Sequence, residues 1–199
     1  VRQAVLETAG KVLVCKSEET GQDLIFSTFY SSSCGGHTEA ADHVFGGDAV
    51  VSLVGVQCPY CAGVARRSNF YWEPVTLTMD QISDRLMGRY SSLEQLERIT
   101  DVEVTKLGHK SRILRVRLIG QNGKTDWLRG EDFRLSLDPT GRKLKSTIFS
   151  MEKKAGTVTF QNGLGFGHGV GMCQCGAQGM ARQGKTYEEI LENYFPGSN

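Results

Sequence analysis

The segment Gly163-Leu-Gly-Phe-Gly-His168-Gly-Val-Gly-Met-Cys173-Gln174-Cys-Gly176 places six glycines around a single histidine. Backbone this bare approaches a neighbouring surface closely and presents open N–H groups. His168 has few side-chain neighbours in such a run, which points to a role in a site. A nucleotide loop is excluded on spacing. No Lys-Ser/Thr pair follows, and the G-x-G-x-x-G pattern after a parallel strand with a later acidic residue is missing.

The rest of the composition bounds the answer. The 199 residues are enough for one domain, or one domain with a modest insertion. Hydrophobic residues make up 39% and charged residues 23%, an ordinary globular balance that excludes a disordered chain. No apolar run approaches the roughly 20 residues needed to span a bilayer. The formal net charge of +1 excludes a nucleic acid or an anionic membrane recruited by bulk charge alone. With 24 glycines and 4 prolines, turns fall to glycine. The chain opens at Val1-Arg2-Gln3 inside an apolar pattern, without an initiator Met or a signal-peptide pattern, so a fragment of a longer protein is expected.

The six cysteines are Cys15, Cys34, Cys58, Cys61, Cys173 and Cys175. Disulfides, buried free thiols and a metal site are all compatible with that count. Cys34-Gly-Gly-His37 and Cys58-Pro-Tyr-Cys61 are two short knuckles with the ligand arithmetic of a closed tetrahedral zinc site. The expected ligands are therefore Cys34, His37, Cys58 and Cys61, with Cys173 as the substitute for His37. Such a zinc would be structural and would pin the loop at residues 31–38. Cys15 lies in a strand-like stretch and reads as packed.

Local patterns predict an α+β fold. Residues 1–9 read as a helix stopped by Gly10. Lys11–Cys15 and Asp23–Tyr30 read as a hairpin around a polar turn at Lys16–Gln22. Residues 39–48 look irregular or briefly helical. Val75–Thr78 is strand-like, Met79–Gly88 helical, and Ile99–Leu107 and Ile113–Ile119 alternate as strands, the latter closed by the turn signal Gln121-Asn122-Gly123. Leu128–Leu135 turns into a short helix and Thr157–Phe160 is a strand. Gln178–Gln183 and Tyr187–Tyr194 are helical, the second capped by Thr186 with Glu188 and Glu189 in its first turn.

The glycine-histidine segment, the run Ala177 to Gly197 with its closing Tyr-Phe-Pro-Gly, Ala4–Leu13, Phe29–Thr38 (FYSSSCGGHT), Phe45-Gly46, Phe133 and Leu144–Phe149 resemble, in order, the blocks of the stage II sporulation protein D family of peptidoglycan lytic transglycosylases and amidase enhancers. The resemblance implies a mixed-sheet core with helices, built by residues 1–73 and 136–199, and an inserted smaller α/β lobe at 74–135 that widens a glycan groove. It implies non-hydrolytic cleavage of the MurNAc–GlcNAc β-1,4 bond with a 1,6-anhydro product, outside the cytoplasm. The implied partners are peptidoglycan glycan strands and a cell-wall amidase.

The family's catalytic Glu sits in an upstream block that has no counterpart in residues 1–199, so no catalytic residue is assigned. Glu39, Asp42 and Asp48 are the carboxylates near the Cys34 loop and read as a solvated face. Ser33, Gly35, Gly36, His168 and Gln174 are the expected glycan-binding residues, and Tyr30, Phe166 and Trp72 could stack on sugar faces. A non-catalytic wall-binding or amidase-enhancing module is the second reading. A zinc hydrolase using His168 ranks last, since thiolate-rich sites with four protein ligands leave no open position.

Overall fold

The computed structural model describes residues 2–17 and 20–199. Val1 and part of the expected polar turn at Lys16–Gln22 lie outside them. The chain is mixed α+β, as its patterning predicts. In order it forms α1 (Arg2–Glu7), β1 (Val14–Lys16), β2 (Asp23–Ile25), β3 (Tyr30–Ser31), α2 (Ala41–Phe45), α3 (Arg67–Phe70), β4 (Tyr71–Trp72) and β5 (Val75–Thr78). There follow α4 (Met79–Met87), β6 (Ile99–Leu107), β7 (Ile113–Gly120), β8 (Thr125–Arg129), α5 (Gly130–Leu137), β9 (Ile148–Lys154) and β10 (Thr157–Leu164). The chain closes with β11 (Met172–Cys173), α6 (Gln174–Arg182) and α7 (Tyr187–Tyr194).

Two apolar cores organise these elements. In the first, β6-β7-β8 form an antiparallel meander, and β10 pairs antiparallel with β4, β5 and β9. The alternation of β7 sends Val116 and Leu118 inward and Arg115 and Arg117 outward. Helix α4 lays Ile82 and Leu86 on this core, and α5 adds Phe133 and Leu137. The same cluster takes in Trp72 ahead of residue 74 and Leu144, Val158 and Phe160 beyond residue 135. The start of α4 is fixed locally: the Thr78 hydroxyl accepts the Gln81 N–H at 3.1 Å, and the Gln81 side chain accepts the Thr78 N–H at 3.0 Å.

The second core gathers the chain ends around Leu53, Phe70, Val170, Met180, Tyr194 and Phe195. Val14 exchanges backbone hydrogen bonds with Asn199, at 3.0 and 2.9 Å, so the first hairpin is stitched to the C-terminus. Helix α1 stays at the surface, with Val5 and Leu6 exposed. The two cores meet at residues 112–114. Ile113 belongs to the first, Leu114 to the second, and Arg112 lies wholly buried between them.

Candidate metal centre

The short strands β3 and β11 pair in parallel, Tyr30 with Met172 and Ser31 with Cys173. This brings the 31–36 loop against the glycine-rich 165–176 loop. The Cys58 N–H donates to the Gly36 carbonyl at 3.0 Å, which draws the second knuckle into the same place. Cys34, Cys58, Cys61 and Cys173 converge there, all buried, with their sulfurs within 4.8 Å of one another.

The donor set fits a tetrahedral metal. Cys34 Sγ and Cys61 Sγ are 3.8 Å apart, close to the edge of a tetrahedron with metal–sulfur bonds of about 2.3 Å and far from the ~2.05 Å of a disulfide bond. The six cysteines are all free. The Cys173 sulfur accepts the N–H groups of Cys34 and Gly176, each at 3.3 Å, and Cys58 Sγ lies 3.0 Å from the Tyr194 hydroxyl on α7. Such N–H and O–H donors support thiolate charge. The Cys173 neighbour, with Cys34, holds the Cys61 thiol far below its ordinary range and brings Cys58 to about 7. The same hydrogen-bonded cluster pushes Cys34 up, with Cys173 again its largest influence. Gly176 is required here, because a Cβ would collide with the Tyr194 hydroxyl and the Cys58 sulfur.

Cys173 therefore takes the fourth corner, and His37 lies outside the cluster. His37 Nδ1 sits 2.5 Å from the Thr38 carbonyl, its ring stacks on His109 at 3.9 Å, and burial pushes its pKa down.

Beside this centre is a second polar constellation that no local motif announces. The Glu39 side chain is fully buried. Its carboxylate accepts the His109 N–H at 2.7 Å and the Ala40 N–H at 3.2 Å, and faces Nδ1 of His43 at 3.2 Å and Nδ1 of His109 at 3.1 Å. Burial alone would raise its pKa; these donors outweigh it and hold the carboxyl below its usual range. Glu39 thus ties the loop after β3 to the turn after β6. Arg112 ties the same parts from below, donating Nη2 to the Cys34 carbonyl at 2.8 Å. Neither tie is visible in the sequence, because His109 lies 70 residues from Glu39 and Arg112 lies 78 residues from Cys34.

The expected glycan-binding residues are spread in depth. Ser33 and Gly35 are buried, Gly36 and His168 are half-buried, and Gln174 is exposed. His168 Nδ1 accepts the Val170 N–H at 3.0 Å, and its ring packs against Phe29 and Phe45. Burial lowers its pKa. The glycines around it make room for protein: a Cβ on Gly165 would lie 2.7 Å from the Ser33 carbonyl, and one on Gly169 would strike the Arg112 guanidinium. Of the three expected stacking rings, Tyr30 is exposed, Phe166 half-buried and Trp72 buried. Asp42 and Asp48 remain outside the Glu39 cage, Asp42 3.9 Å from His43 Nε2.

Residues 60–171 match the family described as Domain of unknown function (DUF8618), and the chain belongs to that family. Along its whole length it is also similar to stage II sporulation protein D of Bacillus subtilis, at 31% identity over 100% of this chain and 50% of that protein. An uncharacterized protein of Brachyspira hyodysenteriae is 35% identical over 99% of this chain and 47% of its own length. The amidase enhancer of Bacillus subtilis is 43% identical over 54 residues, 27% of this chain and 8% of that protein. The chain spans about half the length of the curated relatives it matches end to end. No helix among the described residues is long and apolar enough to cross a membrane.

Proposed function

We propose that this chain is the metal-pinned part of a stage II sporulation protein D-like cell-wall protein that acts on peptidoglycan glycan strands outside the cytoplasm. The observation that carries this reading is the four-cysteine centre. It clamps the 31–36 and 165–176 loops, two segments that carry the resemblance, into one surface. Thiolates are soft ligands that suit zinc, and four protein ligands leave no position for a reacting water. The zinc is structural: bound by Cys34, Cys58, Cys61 and Cys173, it supplies folding energy and keeps paired thiols from oxidising.

The reaction proposed for the whole protein is lytic transglycosylation. One carboxyl group protonates the leaving glycosidic oxygen and then takes the proton from the sugar's own C6 hydroxyl as the 1,6-anhydro ring closes. Glu39 is not offered for that task, since a carboxylate caged by N–H donors and held ionised is a poor proton donor. This chain's part is to bind the strand, with Gly36 and Gln174 at the accessible edge of the paired loops and Ser33, Gly35 and His168 shaping the surface beneath. A cell-wall amidase is the proposed protein partner.

The test is digestion of purified peptidoglycan by the full-length protein, with products read by mass spectrometry. The reading expects 1,6-anhydro-muropeptides. Their absence together with stimulation of an added cell-wall amidase would replace it with the non-catalytic reading, which the amidase-enhancer likeness favours. Neither product nor stimulation would overturn both.

A further inference from the structure

A net charge of +1 hides a segregation of cations. Three clefts of about 450, 450 and 670 Å³ share lining residues and run together as one trough. The first two share Ser68, Tyr71, Trp72 and Glu73; the second and third share Val75 and Lys143. One wall is the extended stretch β4–β5, and the other is the segment after α5. Six steps from Tyr71 to Leu77 at ~3.3 Å each make the trough roughly 20 Å long.

Six cations line it: Arg67, Arg85, Arg89, Arg142, Lys143 and Lys145. Among the described residues none of the six forms a salt bridge, although Arg98, Arg117, Arg129, Arg134 and Lys153 elsewhere all do. Arg85, Arg89 and Lys145 each anchor one donor on a backbone carbonyl, of Leu137 (2.5 Å), Leu135 (3.4 Å) and Ser68 (2.7 Å), which fixes the head and leaves further donors open. The two carboxylates present, Asp138 and Glu73, offset only part of this charge. Asp138 is turned to the Thr140 hydroxyl and the N–H groups of Lys143 and Leu144 rather than to a cation.

Lys145 links the trough to the glycine-rich segment. Lys145 Nζ lies 5.7 Å from the Phe166 ring centre, and the Lys145 carbonyl accepts the Gly167 N–H at 2.8 Å.

We propose that this trough binds a linear polyanionic sugar polymer, with the cations spaced along it taking carboxylate or phosphate groups that recur along the ligand. Elongation, several separated cations and one exposed ring, Tyr71, match a charged glycan. A single-stranded nucleic acid would call for a series of stacking aromatics. The choice of a sugar polymer rests on the cell-wall reading; the anion site itself does not.

The test is equilibrium binding of the chain to polygalacturonate (a carboxylate on every sugar), to a poly(N-acetylmannosamine 1-phosphate) (a phosphodiester on every sugar), and to a single-stranded DNA oligonucleotide, at about 50 mM salt. The expected result is binding to one or both of the first two that weakens as salt rises. The variant R89E/R142E/K143E should lose about tenfold or more in affinity, while K106E/K124E/R182E, with the same charge change elsewhere, should keep it. The arm that binds tells carboxylate from phosphate. Binding to neither polymer, equal losses in both variants, or tighter binding of the oligonucleotide would overturn the proposal. Unfolding curves of both variants establish that each is folded. Soluble polymers are used, so the outcome is independent of whether peptidoglycan is cleaved.

Discussion

The Cys34 amide N–H donates to the Cys173 sulfur at 3.3 Å across a sequence separation of 139 residues. That contact joins the first glycine loop to the second, and the parallel pairing of β3 with β11 puts it in place. Interactions around this seam should dominate the response to mutation.

Gly169 and Gly47 separate steric crowding from backbone strain. Both have positive φ, +77° and +87°, so alanine is strained at each. A Cβ at Gly47 meets nothing within 4 Å, whereas one at Gly169 strikes the buried Arg112 guanidinium. Gly169→Ala should cost about 2 kcal/mol more than Gly47→Ala, roughly 4–8 °C in melting temperature. Equal losses in thermal unfolding would mean that the Arg112 seam yields freely.

Glu39 should make the fold acid-sensitive. Its pKa is lower folded than unfolded, so its contribution is complete above the ordinary carboxylate range and is lost as pH falls through the lowered folded value. Stability measured by urea unfolding should therefore drop as pH is taken below about 4.5. Glu39→Gln should be less stable at pH 7 and show a shallower acid slope, with His43 and His109 still facing the site in both proteins. Parallel pH profiles would remove Glu39 from this role.

Local capping carries a smaller, separable term. Thr78→Ala removes the hydroxyl that accepts the Gln81 N–H and should cost about 1 kcal/mol, or 2–4 °C. Because α4 belongs to the first core, metal content should be unchanged. A loss of metal in this variant would mean that the two cores do not act separately.

These cases mark what sequence alone could reach. Helices α4 and α7 were readable because apolar spacing and a capping threonine act within one turn. The β6–β7–β8 meander was readable from the alternation of β7 and the Gly123 turn. Strand β9 was not, since Ile148–Lys154 is buried at one end and exposed at the other and lacks a two-residue period. Helix α6 starts at Gln174, four residues before the expected Gln178, because Cys173 caps it with its sulfur. The fourth corner of the cysteine cluster shows the same limit. Spacing favours His37, three residues after Cys34, while Cys173 arrives through long-range strand pairing that no spacing rule encodes. The glycine run was legible as backbone made for close approach, but what it approaches is largely the protein's own Arg112 and Ser33.

The most direct test of the account is the metal content of the protein purified without added metal, compared with Cys173→Ser and His37→Ala. Elemental analysis should find one zinc per chain in the wild type and in His37→Ala, and little in Cys173→Ser. Chelation of the wild type should lower its melting temperature by about 10 °C. A metal-free wild type whose four thiols are oxidised in pairs, or a zinc lost with His37 and kept without Cys173, would contradict the account.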